Sequence, residues 1–305
     1  MSAIGGATAV SVAGSTRQDA RRSTIRDYLE LSKSRIVMMV LMTTAAGYVI
    51  GARPFDPLVL LHALIGTALV AAGTNALNQY VERDFDAMMR RTSRRPLPAG
   101  RISPRAALIF ASAISVVGTL YLGFLVNWLT ALLGAITLVS YIFVYTPLKR
   151  VSTICTAVGA IPGAIPPLMG WTAATGALGL GGWIAFGILF FWQLPHFMAI
   201  SWMYREDYGR GGFKMLSVVD DDGKAVARQA ILYSLALLTV SVAPYFFGMS
   251  GLLYLFAATL AGLWIFVSSV MFLADRSPMP ARSLFMSSNI YLLTMMLLFV
   301  FTVRG

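Results

Sequence analysis

The sequence predicts an all-α polytopic membrane protein with nine transmembrane helices. Its 305 residues are 57% hydrophobic and only 12% charged, whereas a soluble domain has about 25% charged residues. The apolar residues are gathered in stretches close to the roughly 20 residues that a membrane helix needs. The basic residues are concentrated in every second loop between these stretches, as is typical of a chain that crosses a bilayer repeatedly.

Nine stretches are long and apolar enough to be spans. They are residues 36–52, 58–78, 106–126, 128–146, 154–174, 182–203, 229–248, 251–273 and 283–303. Prolines in the fifth, sixth and seventh spans indicate either bent helices around a cavity or ordinary kinked packing. Gly159 and Gly163, four residues apart in the fifth span, favour close helix packing.

The distribution of charge predicts the orientation. Arginine and lysine fill the loops after the second, fourth, sixth and eighth spans, whereas the opposite side has only Arg53 and Arg304. The positive-inside rule then places the N-terminus in the cytoplasm and the C-terminus outside. Topology thus explains the net charge of +11, and we predict no nucleic-acid partner. The single cysteine, Cys155, excludes an intrachain disulfide.

The chain divides into residues 1–33, a polar cytoplasmic N-terminal tail, and residues 34–305, an intramembrane domain. The tail lacks the apolar core and cleavage site of a signal peptide, and its Gly/Ala/Ser-rich start, through about Thr16, is predicted to be disordered. The two longest charged loops are four spans apart, which suggests two parallel four-helix halves plus a ninth helix.

The end of the second span carries the most informative residues. Asn78, Glu82 and Asp86 are spaced four apart, so they share one helix face. Oxygen ligands in this arrangement suit Mg²⁺, which binds one or two carboxylates together with substrate phosphates. The alternative is an interfacial loop that only sets topology, but acidic residues contribute little to orientation.

A second polar segment follows the sixth span, from Tyr204 to Lys214, and again combines acids, basic residues and aromatics. Its glycines would let a phosphate approach the backbone. Lys149, after the fourth span, lies on the same side, where it either contacts phosphate or anchors the interface. His196, inside the sixth span, is interpreted as a buried hydrogen-bonded histidine, a porphyrin contact or a proton-handling group.

The polar segment at the end of the second span, Asn78 to Asp86, is the first polar segment, and it resembles the UbiA superfamily of intramembrane prenyltransferases. The family motif N-D-x-x-D-x-x-x-D maps onto Asn78, Gln79, Glu82 and Asp86, with Gln and Glu replacing two aspartates. Gln79 brings no charge, so we leave it out of the predicted metal site. Residues 91–97 (RTSRRPL) are also similar to the pattern that follows this motif, and Lys33-Ser34-Arg35 resembles a family Lys-Pro-Arg.

The second family motif, D-x-x-x-D, is altered, with Tyr204 and Tyr208 at its ends and Asp207 as the predicted metal ligand. Residues 163–167 (GAIPP) and 192–197 (WQLPHF) are similar to the heme-modifying branch of the superfamily. The resemblance covers the chain from about Tyr28 to its end, and it implies the UbiA-like fold, in which the nine transmembrane helices surround a central cavity.

The resemblance implies that farnesyl diphosphate donates a prenyl group to heme B, giving heme O, with Mg²⁺ as the cofactor. It implies catalytic roles for Asn78, Glu82, Asp86, Asp207 and His196. The predicted metal ligands are Asn78, Glu82, Asp86 and Asp207. The predicted substrate-binding residues are Arg83, Arg95, Lys149, Tyr204 and Lys214. We also expect location in a bacterial inner membrane and a downstream heme A synthase as a partner.

Three other functions remain open at this point. An aromatic quinone precursor such as 4-hydroxybenzoate is the alternative acceptor for a prenyltransferase. A heme-binding carrier or assembly factor would leave the two acidic segments without a purpose. A transporter of an anion would be expected to place its charges near the bilayer midplane rather than at the membrane edge.

Overall fold

The structure, a computed structural model, describes residues 24–52 and 54–302, and within these ranges it contains helices, turns and loops but no β-strand. The predicted disorder through Thr16 and the loop residue Arg53 lie outside the described residues. In chain order the helices are α1 (Ile25–Leu31), α2 (Ser34–Gly51), α3 (Pro57–Met88), α4 (Pro104–Leu125), α5 (Trp128–Val139), α6 (Thr146–Leu148), α7 (Cys155–Thr175), α8 (Leu180–Met203), α9 (Arg205–Arg210), α10 (Leu216–Val219), α11 (Lys224–Phe246), α12 (Leu252–Ala274) and α13 (Pro278–Thr302).

Each predicted span corresponds to one long helical segment in the described part of the chain. Eight of the segments are long and apolar enough to cross a membrane, with α5 and α6 forming one continuous segment. The remaining segment is α7, the fifth span in chain order. It has 21 residues but contains three prolines and several glycines, which lower its hydropathy. The predicted all-α membrane architecture is confirmed.

Helix α3 is longer than its predicted span, because it continues past residue 78 to Met88. Its 32 residues correspond to about 48 Å. The helix begins at Asp56, whose Oδ1 accepts hydrogen bonds from Leu58 N at 2.8 Å and Val59 N at 3.2 Å, with Pro57 at the first helical position. The extension carries the acidic residues of the first polar segment.

Consecutive long helices pack side by side, and α13 returns to contact α2. The suggested division into two four-helix halves stays a prediction, and α7, the fifth span, packs most extensively against α2, the first span. Glycines allow α2 and α7 to approach each other closely. A Cβ on Gly170 would lie 1.9 Å from Thr44 O, and one on Gly47 would lie 1.9 Å from Pro167 O.

The glycines of α7 also pack closely against other neighbours, as predicted. A Cβ on Gly159 would lie 2.4 Å from the Tyr145 ring, and one on Gly163 would lie 2.0 Å from Gln193 Oε1. Close approach of this kind is how membrane helices gain packing contacts.

The last part of the predicted tail is a folded helix. Helix α1 begins with a capping box between Thr24 and Asp27, and Arg101 forms an ion pair with Asp27. The Gln79 side chain donates to the carbonyl of Leu31 at 2.7 Å and to that of Glu30 at 3.2 Å. Gln79 therefore satisfies carbonyls at the end of α1, which gives this departure from the family motif a structural role.

Candidate active site

Asn78, Glu82 and Asp86 line one face of α3, and all three are buried, with 1%, 5% and 1% of their surface exposed. Two carboxylates and an amide at the end of a membrane helix need partners, since burying a charge without one is costly. Three basic side chains from other parts of the chain supply them, and each comes from a different segment.

The contacts pair each acidic or amide group with one cation. Lys149 Nζ donates to Glu82 Oε1 at 2.7 Å, and Arg95 Nη1 donates to Asp86 Oδ2 at 2.7 Å. Two of the predicted substrate-binding residues, Arg95 and Lys149, are thus brought to the predicted acidic face. The other Asp86 oxygen, Oδ1, is buried and has no hydrogen-bond partner among the described residues.

The third cation, Lys33, was not among the predicted site residues. Its Nζ donates to Asn78 Oδ1 at 3.0 Å, and its backbone is left-handed, with φ 51°, a conformation that costs energy outside glycine and is often found at functional sites. Burial and the nearby Arg95 lower the pKa of Lys33 to about 7. The only sequence signal for this residue was the similarity of Lys33-Ser34-Arg35 to a family motif.

A π-helical turn, Ser140–Tyr145, joins α5 to α6 and shapes the other side of the site. Such turns are rare and frequent at functional sites. Thr146, which follows it, donates to Tyr141 O at 2.8 Å and accepts from Asn78 Nδ2 at 3.3 Å. The amide of Asn78 is therefore held between Thr146 and Lys33, with its oxygen directed toward the lysine.

Lys149 lies 4.5 Å from the centre of the Tyr145 ring. Burial opposes its charge, but the Glu82 carboxylate outweighs burial and raises the pKa of Lys149. Lys149 therefore stays protonated next to the acidic face. Lys214 touches this region through its backbone, donating its N–H to Lys149 O at 2.8 Å, while its side chain is exposed.

Asp207 lies in a different cluster from Glu82 and Asp86. Its carboxylate accepts from the backbone N–H of Arg90 at 3.3 Å and of Arg91 at 3.1 Å. The Arg91 guanidinium in turn lies 4.8 Å from the Tyr204 ring centre and donates to Tyr208 Oη at 3.1 Å. This interloop clasp, formed by Asp207, Arg91, Tyr204 and Tyr208, fastens the loop after α3 to the short helix α9 in the connection after α8.

Among the described residues, no group of three or more His, Cys, Asp or Glu side chains could hold a metal ion. The structure brings Asn78, Glu82 and Asp86 together but leaves Asp207 in the clasp, so a metal role for Asp207 stays a prediction. Arg83 also lies apart, since it donates to Tyr80 O at 2.8 Å and pairs with Asp84 at 3.6 Å.

The clasp gives a testable expectation for Asp207. Replacing Asp207 with Ala removes a charged acceptor, a loss typically worth about 1.5–3 kcal/mol. We expect the loop after α3 to open more often and trypsin to cleave after Arg90 and Arg91 about tenfold faster or more.

Asp207→Asn keeps one acceptor oxygen and should give an intermediate rate of trypsin cleavage. Asp221→Ala changes an exposed acidic residue on another loop and should leave the cleavage rate unchanged. Equal cleavage in all four proteins would contradict the clasp.

His196, in α8, lies against α13, where its Nδ1 is 2.8 Å from Ser288 Oγ. Its ring centre is 4.9 Å from that of Trp192 and 4.7 Å from that of Phe285. The prediction of a hydrogen-bonded histidine is confirmed, whereas its predicted porphyrin contact and catalytic role stay predictions.

The fold and the site define an integral membrane protein with a buried polar helix face. Each carboxylate or amide on this face is paired with a basic side chain. The chain belongs to the UbiA prenyltransferase family, whose model matches residues 40–294. Protoheme IX farnesyltransferase of Solibacter usitatus is 48% identical over 278 residues, which cover 88% of this chain and 95% of the relative. That of Koribacter versatilis is 43% identical over 281 residues, covering 88% and 91%.

Solved structures agree on the fold. A structure of digeranylgeranylglyceryl phosphate synthase superposes with a TM-score of 0.77 at 18% identity, covering 91% of this chain and 97% of the other. A UbiA homolog from Archaeoglobus fulgidus bound to GPP and Mg²⁺ gives a TM-score of 0.64 at 16% identity, covering 90% and 99%.

Proposed function

We propose that this protein transfers the farnesyl group of farnesyl diphosphate to a vinyl group of heme B, forming heme O for the assembly of terminal oxidases. The observation that carries the proposal is the 48% identity, over 88% of the chain, to a protoheme IX farnesyltransferase. The buried site supports it, because three cations beside two carboxylates suit a diphosphate bound through both charged side chains and a metal.

The transfer breaks the allylic C–O bond of the donor, and diphosphate leaves with the electron pair. A heme vinyl carbon forms the new bond to C1 of the farnesyl group. Water then adds to the resulting cation and releases a proton, which leaves a hydroxyethylfarnesyl substituent. We propose that Arg95 and Lys149 stabilise the departing diphosphate, which is supported by their position at the acidic face, where each pairs with a carboxylate.

The residues on α3 also fit a Mg²⁺ ion. Asn78, Glu82 and Asp86 offer only oxygen ligands, and the unpartnered Oδ1 of Asp86 is a buried acceptor. The A. fulgidus homolog that shares this fold binds Mg²⁺ together with a prenyl diphosphate. When bound, Mg²⁺ would supply positive charge to the diphosphate oxygens. We propose Asn78, Glu82 and Asp86 as its ligands, with Asp207 as a further ligand only if the clasp opens.

We propose that the protein lies in the inner membrane with its N-terminus in the cytoplasm, so that the site opens on the cytoplasmic side. Basic residues lie beyond the same ends of the long helices as Glu82 and Asp86, and an odd number of spans puts the C-terminus outside. A heme A synthase that modifies the product further is the partner we propose.

A reporter active only outside the cytoplasm, fused after Gly305, is therefore expected to be active. The same reporter inserted after Asp221, in the loop before α11, should be inactive. The reverse pattern in a functional protein would contradict the proposed orientation.

The function is tested by expressing the protein in a bacterial host that lacks its own heme-prenylating activity. Extracted hemes should then include a more hydrophobic species whose mass equals heme B plus a farnesyl group and one hydroxyl group. If the heme stays unmodified while 4-hydroxybenzoate gains a prenyl chain, the acceptor is an aromatic quinone precursor instead.

A further inference from the structure

Ser288 on α13 binds two aromatic side chains of α8 that lie one turn apart. Its backbone carbonyl accepts a hydrogen bond from Trp192 Nε1 at 2.5 Å, and its Oγ lies 2.8 Å from His196 Nδ1. Both partners are thus fixed by one residue of the neighbouring helix. Such an arrangement is expected of a histidine whose orientation matters, because a hydrogen bond to one ring nitrogen fixes the orientation of the ring when the other nitrogen binds a metal.

The hydrogen bonds of Ser288 also determine which nitrogen of His196 carries the proton. Ser288 Oγ donates its single hydrogen to Phe285 O, at 2.7 Å, so toward His196 it can only accept. His196 Nδ1 is then the donor, and Nε2 keeps its lone pair. Nε2 has no hydrogen-bond partner among the described residues. It is not fully enclosed by protein, since His196 is only half-buried.

The imidazole ring is held on both faces. The Trp192 ring stacks at an interplanar angle of 28°, and the Phe285 ring lies at 33°. A neutral imidazole with a fixed plane, an apolar surrounding and a free nitrogen lone pair is the group that proteins use to bind the iron of a porphyrin.

We propose that Nε2 of His196 is the axial ligand of the iron in the heme acceptor, with Ser288 and Trp192 as its positioning residues. The proposal rests on the proposed function, because it names the contact that holds the acceptor of that reaction. A porphyrin bound through its iron keeps its edge, where the vinyl groups lie, free for the prenyl donor.

The test is optical and needs no turnover. Purified protein in lipid nanodiscs is titrated with ferric heme B, and we expect a Soret shift and an electron paramagnetic resonance spectrum typical of histidine ligation. His196→Gln, which can still bond to Ser288, should lose this spectrum, and added imidazole should restore it. His62→Ala is the matched control, because the chain contains only two histidines and His62 bonds to Tyr121 Oη instead.

One further variant and one further ligand separate iron ligation from folding. Ser288→Ala removes the contact to Nδ1 and should weaken heme binding by about 10–100-fold, as loss of such a contact does at metal sites. Iron-free protoporphyrin should bind the wild-type protein and His196→Gln equally well.

An unchanged heme spectrum in His196→Gln would overturn the proposal. If the spectra behave as expected but wild-type protein never prenylates heme, the proposed function fails while the iron ligand stands.

Discussion

Replacing Asp86 with Asn, or Glu82 with Gln, is expected to lower the turnover of prenyl transfer by about 10²–10³, the usual cost of losing one charged transition-state contact. Both carboxylates are buried, and each is paired at 2.7 Å with a cation that we propose as a diphosphate-binding residue. Either change removes a proposed metal ligand and leaves Arg95 or Lys149 without its partner. The measurement is the initial rate in nanodiscs as a function of Mg²⁺ concentration.

The matched control for this prediction is Asp84→Asn on the same helix. Asp84 is 74% exposed, and its contact to Arg83 is 3.6 Å long, so its loss should leave the rate nearly unchanged. The amount of folded protein in the membrane must be equal in all variants. Near-normal rates at limiting Mg²⁺ for both Asp86→Asn and Glu82→Gln would rule out this site.

Replacing Gly170 with Ala is expected to destabilise the protein more than any other single added methyl group in α7. The new Cβ would lie 1.9 Å from Thr44 O and 2.6 Å from Tyr48 N, both backbone atoms of α2. These backbone atoms cannot move away unless the whole of α2 shifts. We therefore expect the free energy of unfolding to fall by an amount at the upper end of the roughly 1–3 kcal/mol typical of overpacking. Thermal unfolding in detergent measures it.

Gly134→Ala in α5 is the control for this second prediction. The nearest atom to its Cβ would be the flexible end of the Met169 side chain, at 3.3 Å, which can shift at little cost. The unfolding temperature of Gly134→Ala should stay close to that of the wild type. Equal stability of the two variants would contradict the close approach of α2 and α7.

The fold was predictable because its signals are local. Apolar length fixed the spans to within a few residues, and the spacing of Asn78, Glu82 and Asp86 placed them on one face before any neighbour was known. The exception is the extent of α3, since the span was predicted from hydropathy and the helix continues through polar residues to Met88.

The cations around the site were only partly predictable, because their positions depend on distant segments. Arg95 and Lys149 were chosen for charge and side of the membrane, and the structure brings both to the acids. Lys33 was missed because its approach requires a left-handed backbone residue between two helices. The π-helical turn brings Thr146 to its hydrogen bond with Asn78, and such a turn has no periodic pattern in the sequence by which it could be predicted.

The measurement that tests the central claim most directly is the fate of the labelled prenyl group. Purified protein in nanodiscs receives farnesyl diphosphate labelled in the farnesyl chain, heme B, and either Mg²⁺ or a chelator. We expect the label to move onto heme with Mg²⁺, to stay in the donor with the chelator, and to stay in the donor with Asp86→Asn. Label that never reaches heme in the intact protein with Mg²⁺, or that reaches it equally with Asp86→Asn, would contradict the proposed function and its site.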